Sequence, residues 1–112
     1  MGLHHHAEAR TYAMLPGVVR RILEYNDDVM LVELTMAKDA VVPDHHHPHI
    51  QTGYLVSGRV EFTAGDETRV LTPGDTWLIP GGVPHHVRVL EDCVALDFFH
   101  PHREDFLAQE GR

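Results

Sequence analysis

The chain has 112 residues, with 9 Lys and Arg against 17 Asp and Glu for a net charge of −8, and 43% of it is hydrophobic. That is room for one domain and one core, not two. The acidic balance argues against nucleic acid or an anionic membrane as a partner, and no apolar run approaches the roughly 20 residues that span a bilayer.

Taken in order, residues 1–17 read as an irregular N-terminal segment ending in the turn pair Pro16-Gly17. His4, His5 and His6 lie in it and are set aside as part of a terminus. Residues 18–109 read as a single domain of short strands. Val18 to Tyr25 and Val29 to Ala37 are rich in β-branched and apolar residues, separated by Asn26-Asp27-Asp28, which is hairpin chemistry. Val41-Val42 leads into Asp44-His45-His46-His47-Pro48-His49-Ile50-Gln51. Tyr54 to Val56 is expected to turn at Ser57-Gly58 and pair with Val60 to Thr63. Ala64 to Glu67 makes another turn before Arg69-Val70-Leu71, and Pro73-Gly74-Asp75 turns into Trp77 to Ile79. Val87 to Leu90 and Val94 to Phe99 alternate around Glu91-Asp92, and the one helical stretch is Arg103 to Gln109, after Pro101. Many short strands with Gly, Pro and Asp punctuation predict an all-β jelly-roll barrel with a short C-terminal helix.

The histidine run is the chemical centre of this pattern. Side chains alternate faces along a strand, so His45, His47 and, after a gap, Gln51 share one parity, while His46 points the other way. Pro48 cannot donate to a ladder, which predicts a strand edge and a bend before Gln51. Neutral imidazole is the commonest metal ligand among side chains, and His45, His47, Gln51 and His85 would make a four-ligand site. His86 should then point off the metal.

Both stretches resemble the two motifs of the cupin superfamily. The first motif reads His-x-His, three or four residues, Glu, six residues, Gly; here it is His45, His47, Gln51 and Gly58, with glutamine in place of glutamate. The second reads Gly, five residues, Pro-x-Gly, two residues, His, three residues, Asn; here it is Gly74, Pro80, Gly82 and His85, with Val89 where the asparagine usually stands. Taking His47 and His49 as the pair instead would put Val60 where the motif requires glycine. The resemblance implies a cupin fold for residues 18–109 and one divalent transition metal. Imidazole with one oxygen suits Ni, Zn, Mn, Fe or Cu. The neutral amide of Gln51 leaves the ion its full charge and argues against the carboxylate-containing triad of ferrous oxygenases.

The tail Ala95-Leu96-Asp97-Phe98-Phe99-His100-Pro101-His102-Arg103-Glu104-Asp105 sharpens the resemblance. Asp97 sits in an apolar strand, where an unpaired carboxylate is costly. Two readings stand: a barrel residue paired with an arginine, or a general acid–base group tuned by burial. Arg103 follows a proline and can return to the barrel mouth to hold a substrate carboxylate in a fork. Together with His-Pro-His-x-Gln-x-Gly-Tyr-x-x-Ser-Gly, this tail is similar to the small pectin-degradation cupins of the KdgF type. That resemblance implies Asp97 and Arg103 as catalytic groups, Phe99 and Arg103 as substrate-binding groups, and turnover of monomeric unsaturated uronates to a linear keto-deoxyuronate. The partner expected is therefore a small anionic sugar. Three other readings use the same fold: a metal-dependent dioxygenase, a lyase with Tyr54 as base, and a sugar-binding cupin without turnover. A homodimer is expected, pairing through the apolar stretch Val18, Val19, Ile22 and Leu23. The lone Cys93 and the absence of a signal-peptide-like apolar stretch near the start lead to a cytoplasmic expectation.

Overall fold

Alternating apolar residues build strands through most of the chain, and the computed structural model describes residues 2–112. A 3₁₀ turn, His6–Glu8, precedes strands β1 (Tyr12–Leu15), β2 (Val18–Tyr25), β3 (Met30–Met36), β4 (Val41–His45), β5 (Ile50–Ala64), β6 (Glu67–Leu71), β7 (Thr76–Ile79) and β8 (His85–His100), and helix α1 (Glu104–Gln109) follows. The expected all-β jelly roll with one short late helix forms. The segment expected to be irregular is not wholly so. Tyr12–Leu15 pairs antiparallel with β2 because Gly17, at φ +75, lets the chain double back after Pro16. Met1 lies outside the described residues.

Two long strands hold the barrel together. Extended at roughly 3.3 Å per residue, a strand as long as β8 would run about 50 Å, yet the molecule's longest extent is 36 Å. So β8 bends, and its ladders show where. Residues 93–99 pair with β3 on one side, and residues 94–100 pair with residues 50–57 of β5 on the other. Residues 85–88 pair with β4 and with the second half of β5. β5 divides in the same way, its first half against β7 and its second against β6. Two layers result, β1-β2-β3-β8-β5-β7 and β4-β8-β5-β6, with β5 and β8 shared between them.

This bending corrects two expected turns. Ser57-Gly58 does not close a hairpin; residues 54–56 and 60–63 are pieces of one strand. Gly58, at φ +85, sits where the ladder to β8 slips register repeatedly between Leu55 and Val60. A Cβ there would collide with the carbonyl of Asp92 and with Cys93. A bulge glycine and a hairpin glycine look alike in sequence, and only the partner strand tells them apart. Glu91-Asp92 likewise lies inside β8.

The core follows a period of two along β8. Val87, Val89, Cys93 and Ala95 are buried, and so are His85, Asp97 and Phe99 on the same inward face. The polar groups are thus built into the wall of the core. Of the stretch expected to meet a partner, Val18 and Ile22 are buried in the chain's own interior, and Val19 and Leu23 are partly exposed. Helix α1 is too short to stand alone and depends on its docking. Phe106 is buried, and fully buried Arg20 of β2 grips the helix end: its Nη2–H donates to Glu110 Oε2 at 3.0 Å and its Nη1–H to Gln109 Oε1 at 2.9 Å. No helix among the described residues is long and apolar enough to cross a membrane.

Candidate functional site

The histidine run does not lie on one strand. His45 ends β4, residues 46–49 form a bent link containing Pro48, and Gln51 stands near the start of β5. His45 is the ladder partner of His85, and Gln51 that of Phe99. The opposite ends of bent β8 therefore meet across the interior, His47 lying 5.0 Å from the His85 ring and 5.7 Å from Phe99. His46 is exposed, as expected, though it lies in the link and not on a strand, and His86 points toward Asp44 on the outside.

His45, His47 and His85 present ring nitrogens that all lie within 4.8 Å of one another. Backbone carbonyls orient the rings. The Nδ1–H groups of His45 and His85 donate to Pro43 and Val83 at 2.8 Å each, and that of His47 to His49 at 3.1 Å. Donation from Nδ1 fixes the tautomer and leaves Nε2 as a lone pair. His85 Nε2 is buried and has no partner among the described residues. His47 Nε2 lies 3.0 Å from Gln51 Oε1, and a neutral ring that has given its only N–H to a carbonyl has no proton for that oxygen. A second proton is disfavoured, because burial, reinforced by the positive charge of Arg103, holds the His47 pKa down to about 4. An orphaned nitrogen and a lone pair set against an oxygen are what a cation resolves. Three imidazoles with one amide oxygen fit a divalent transition metal.

Gln51 is fixed from behind. Its Nε2–H donates to Asp97 Oδ1 at 2.9 Å, which turns its oxygen toward His47. Asp97 Oδ1 also accepts the indole N–H of Trp77 at 2.8 Å. No arginine pairs with Asp97 among the described residues, so the arginine-paired barrel residue is not what forms. Burial pushes its pKa up to about 6, against the pull of the two donors and of the Arg103 charge.

Arg103 does return to the mouth. Its Nε–H and Nη2–H form a fork with Asp105 at 3.0 and 2.8 Å, and its guanidinium packs 5.0 Å from the Phe99 ring and 4.0 Å from the Phe106 ring. Arg103 is the N-cap, with extended backbone at φ −85 and ψ 93, so α1 starts one residue later than expected. His45, Gln51, His85, Asp97, Phe99 and Arg103 line one cavity of about 150 Å³ above an apolar floor that includes Leu55 and Phe62. That is below the roughly 300–1,000 Å³ of pockets for drug-sized ligands, and so suits a small molecule.

Tyr54 is nearly half exposed and does not line this cavity, which removes it as a pocket base. His100 and His102 donate to the carbonyls of Asp28 and Asp27 and tie the tail to the β2–β3 turn. Sequence reasoning missed Trp77, whose only signal was a polar-tipped aromatic inside the second motif.

The cupin-domain family profile matches residues 32–99. Over 93 residues, 81% of this chain and 84% of the relative, the chain is 37% identical to the pectin degradation protein KdgF of Dickeya dadantii. The structure of KdgF from Halomonas sp. matches with a TM-score of 0.90 at 33% identity, covering 95% of this chain and 100% of that one. An RmlC-like cupin from Shewanella frigidimarina matches with a TM-score of 0.90 at 28% identity, covering 95% and 96%.

Proposed function

Because this chain belongs to the cupin family, and within it to the KdgF-type pectin degradation proteins, we propose that it converts monomeric 4,5-unsaturated uronates, from pectin or alginate, to linear 5-keto-4-deoxyuronate. The observation that carries this is one small cavity in which His45 and His85 of the three-histidine cluster face Gln51, Asp97 and Arg103. The reaction is an isomerisation. The ring carbon–oxygen bond breaks, the hemiacetal hydroxyl loses its proton, and a proton adds to the enol-ether carbon, so atoms and charge balance without an oxidant.

Each role follows from what the side chains have free. Arg103 spends Nε and Nη2 on Asp105, and the rest of its guanidinium holds the substrate carboxylate. Asp97 uses Oδ1 for Gln51 and Trp77, and its Oδ2 moves the proton. Phe99 forms a wall of the sugar slot. His45, His47, His85 and Gln51 would hold the divalent metal, which would supply positive charge to an anionic ligand above the cavity's apolar floor.

The same reading takes the protein as a cytoplasmic homodimer with no nucleic acid or membrane partner. On the outer sheet face Leu78 and Phe98 flank Thr52, with Ile50 and Tyr54 on either side, and this exposed apolar face supports two-fold pairing. Light scattering should give twice the chain mass at micromolar concentration; a monomer overturns the dimer.

The test of function is an unsaturated monouronate's ultraviolet absorbance after addition of the purified protein, with and without chelator. Rapid loss that the chelator abolishes is expected. Oxygen consumption would point to a dioxygenase, and ligand binding without turnover to a sugar-binding cupin.

A further inference from the structure

Trp77 and Asp97 stand on strands that do not touch. β7 and β8 lie on opposite sides of β5, and Gly53 of β5 is the ladder partner of both residues. Strands are spaced about 4.8 Å apart, which puts the two backbones roughly 10 Å from each other. Yet the indole N–H reaches Asp97 Oδ1 at 2.8 Å. The ring can do this only by crossing over Gly53. A Cβ at 53 would overlap Cε2, Cζ2 and Nε1 of the indole, so the missing side chain is the passage. Gly53 is absent from the positive-φ glycines, so the backbone does not require glycine there; the space does. Phe62 backs the ring at 5.1 Å between centroids.

We propose that Trp77 is a positioning residue: seated over Gly53, its indole N–H fixes one oxygen of Asp97 and thereby aims the other into the cavity and the Gln51 oxygen at the histidines. The pair Gly53–Trp77 is thus part of the site although neither residue offers a ligand atom or a titrating group. A carboxylate held by two donors on one oxygen keeps a single rotamer. With Trp77 lost, it can swing on the Gln51 bond alone.

The test rests on the proposed uronate chemistry for one arm and is independent of it for the other. Trp77 is the only tryptophan, so the protein has one indole N–H resonance. In the wild-type protein that proton should exchange slowly with solvent, and it should shift and exchange faster in Gly53→Ala and in Asp97→Ala. A wild-type resonance that exchanges like a free indole, or one unmoved in Gly53→Ala, overturns the proposal whatever the substrate. In the activity arm, Trp77→Phe keeps the ring and removes the donor. It should lower kcat roughly 10- to 100-fold, the scale of small misplacements of a reacting group, with KM little changed. In an Asp97→Asn background the same substitution should cost nothing further, because its effect runs through Asp97. Full additivity, or a loss of stability with kcat per folded molecule unchanged, overturns the positioning role. If the wild-type protein turns over no unsaturated uronate, the functional reading falls, and the resonance alone decides the claim about Trp77.

Discussion

The Gln51 amide donates to Asp97 Oδ1 at 2.9 Å, so the residue beside the histidine cluster and the residue assigned the proton form one hydrogen-bonded unit. Asp97→Asn probes this unit without dismantling it. The Asn oxygen can accept from both Gln51 and Trp77, while an NH₂ group replaces the oxygen that would carry the proton. Turnover should fall by roughly 10²–10⁴-fold, the usual worth of a general acid–base group, with metal content at the wild-type level by elemental analysis. Wild-type rates from the folded, metal-loaded variant would remove Asp97 from the chemistry.

Arg103 is packed against two rings and held along one edge. Phe99 and Phe106, edge-on to each other with centroids 5.7 Å apart, form a corner around its guanidinium, and Asp105 takes the Nε–H and Nη2–H. Lysine keeps the charge but cannot grip Asp105 and a substrate carboxylate together. Arg103→Lys should therefore raise KM with kcat little changed, because ground-state and transition-state binding weaken alike. Steady-state kinetics showing the reverse split would move Arg103 from binding to chemistry.

The metal assignment separates neighbouring histidines. Purified protein should carry close to one transition metal per chain. His85→Ala removes the buried orphan nitrogen and should cost at least the roughly 10–100-fold in affinity that even an outer-shell partner is worth, while His46→Ala should leave binding intact. Equal losses from the two variants, measured by competition with a chromophoric chelator, would mean that the cluster is not the metal site.

Strand parity was legible in the sequence because a barrel wall has period two. It picked His45 and His47 over His46, while Asp97 and Phe99 came from the resemblance of the tail. The motif spacing brought His85 to the same point. What the sequence could not show was the bend shared by β5 and β8. Gly58 reads as a hairpin because glycine marks both a turn and a bulge, and the strand that decides between them lies more than thirty residues away. Trp77 was invisible for a related reason: its partner lies across a third strand, and the residue that permits the contact, Gly53, carries no side chain at all.

Helix α1 places Arg103 and Phe106 at the mouth, and it is held by a buried ion pair whose arginine packs on the same Phe106 ring as Arg103, 4.0 Å from its centroid. Arg20 and Glu110 have side chains 0% and 4% exposed, with 3.0 Å between Nη2 and Oε2. Stranding a buried charge typically costs about 3–5 kcal/mol, and that is an upper bound here because Glu110 keeps Arg112 as a second partner at 3.0 Å. Arg20→Ala should lower stability by that order in urea unfolding. At a temperature where the variant is still folded, it should raise KM through the displaced Arg103. Replacing Arg20 and Glu110 together by Met and Leu should recover much of the loss, since an apolar pair of similar volume fills the site and the one charge left without its partner, Arg112, has a side chain 18% exposed.

Cys93 predicts how stability falls in alkali. The thiol is 2% exposed and packs under the bend of β5 against Gly58, and burial pushes its pKa up to about 11 from its ordinary 9.0. The unfolded chain gives up this proton first, so raising the pH favours unfolding. Stability is therefore fully present below about pH 9 and is lost as the pH climbs toward about 11. A two-unit difference corresponds to at most about 2.7 kcal/mol. Other groups titrate in the same range, so the comparison must be with Cys93→Ala, which shares all of them. The variant should be less stable at pH 8, because a buried side chain is truncated, yet it should lose less stability than the wild type between about pH 9 and 11. Urea midpoints across that range read the difference directly. Parallel curves for the two proteins would mean that the thiol ionises as freely in the folded barrel as in the unfolded chain.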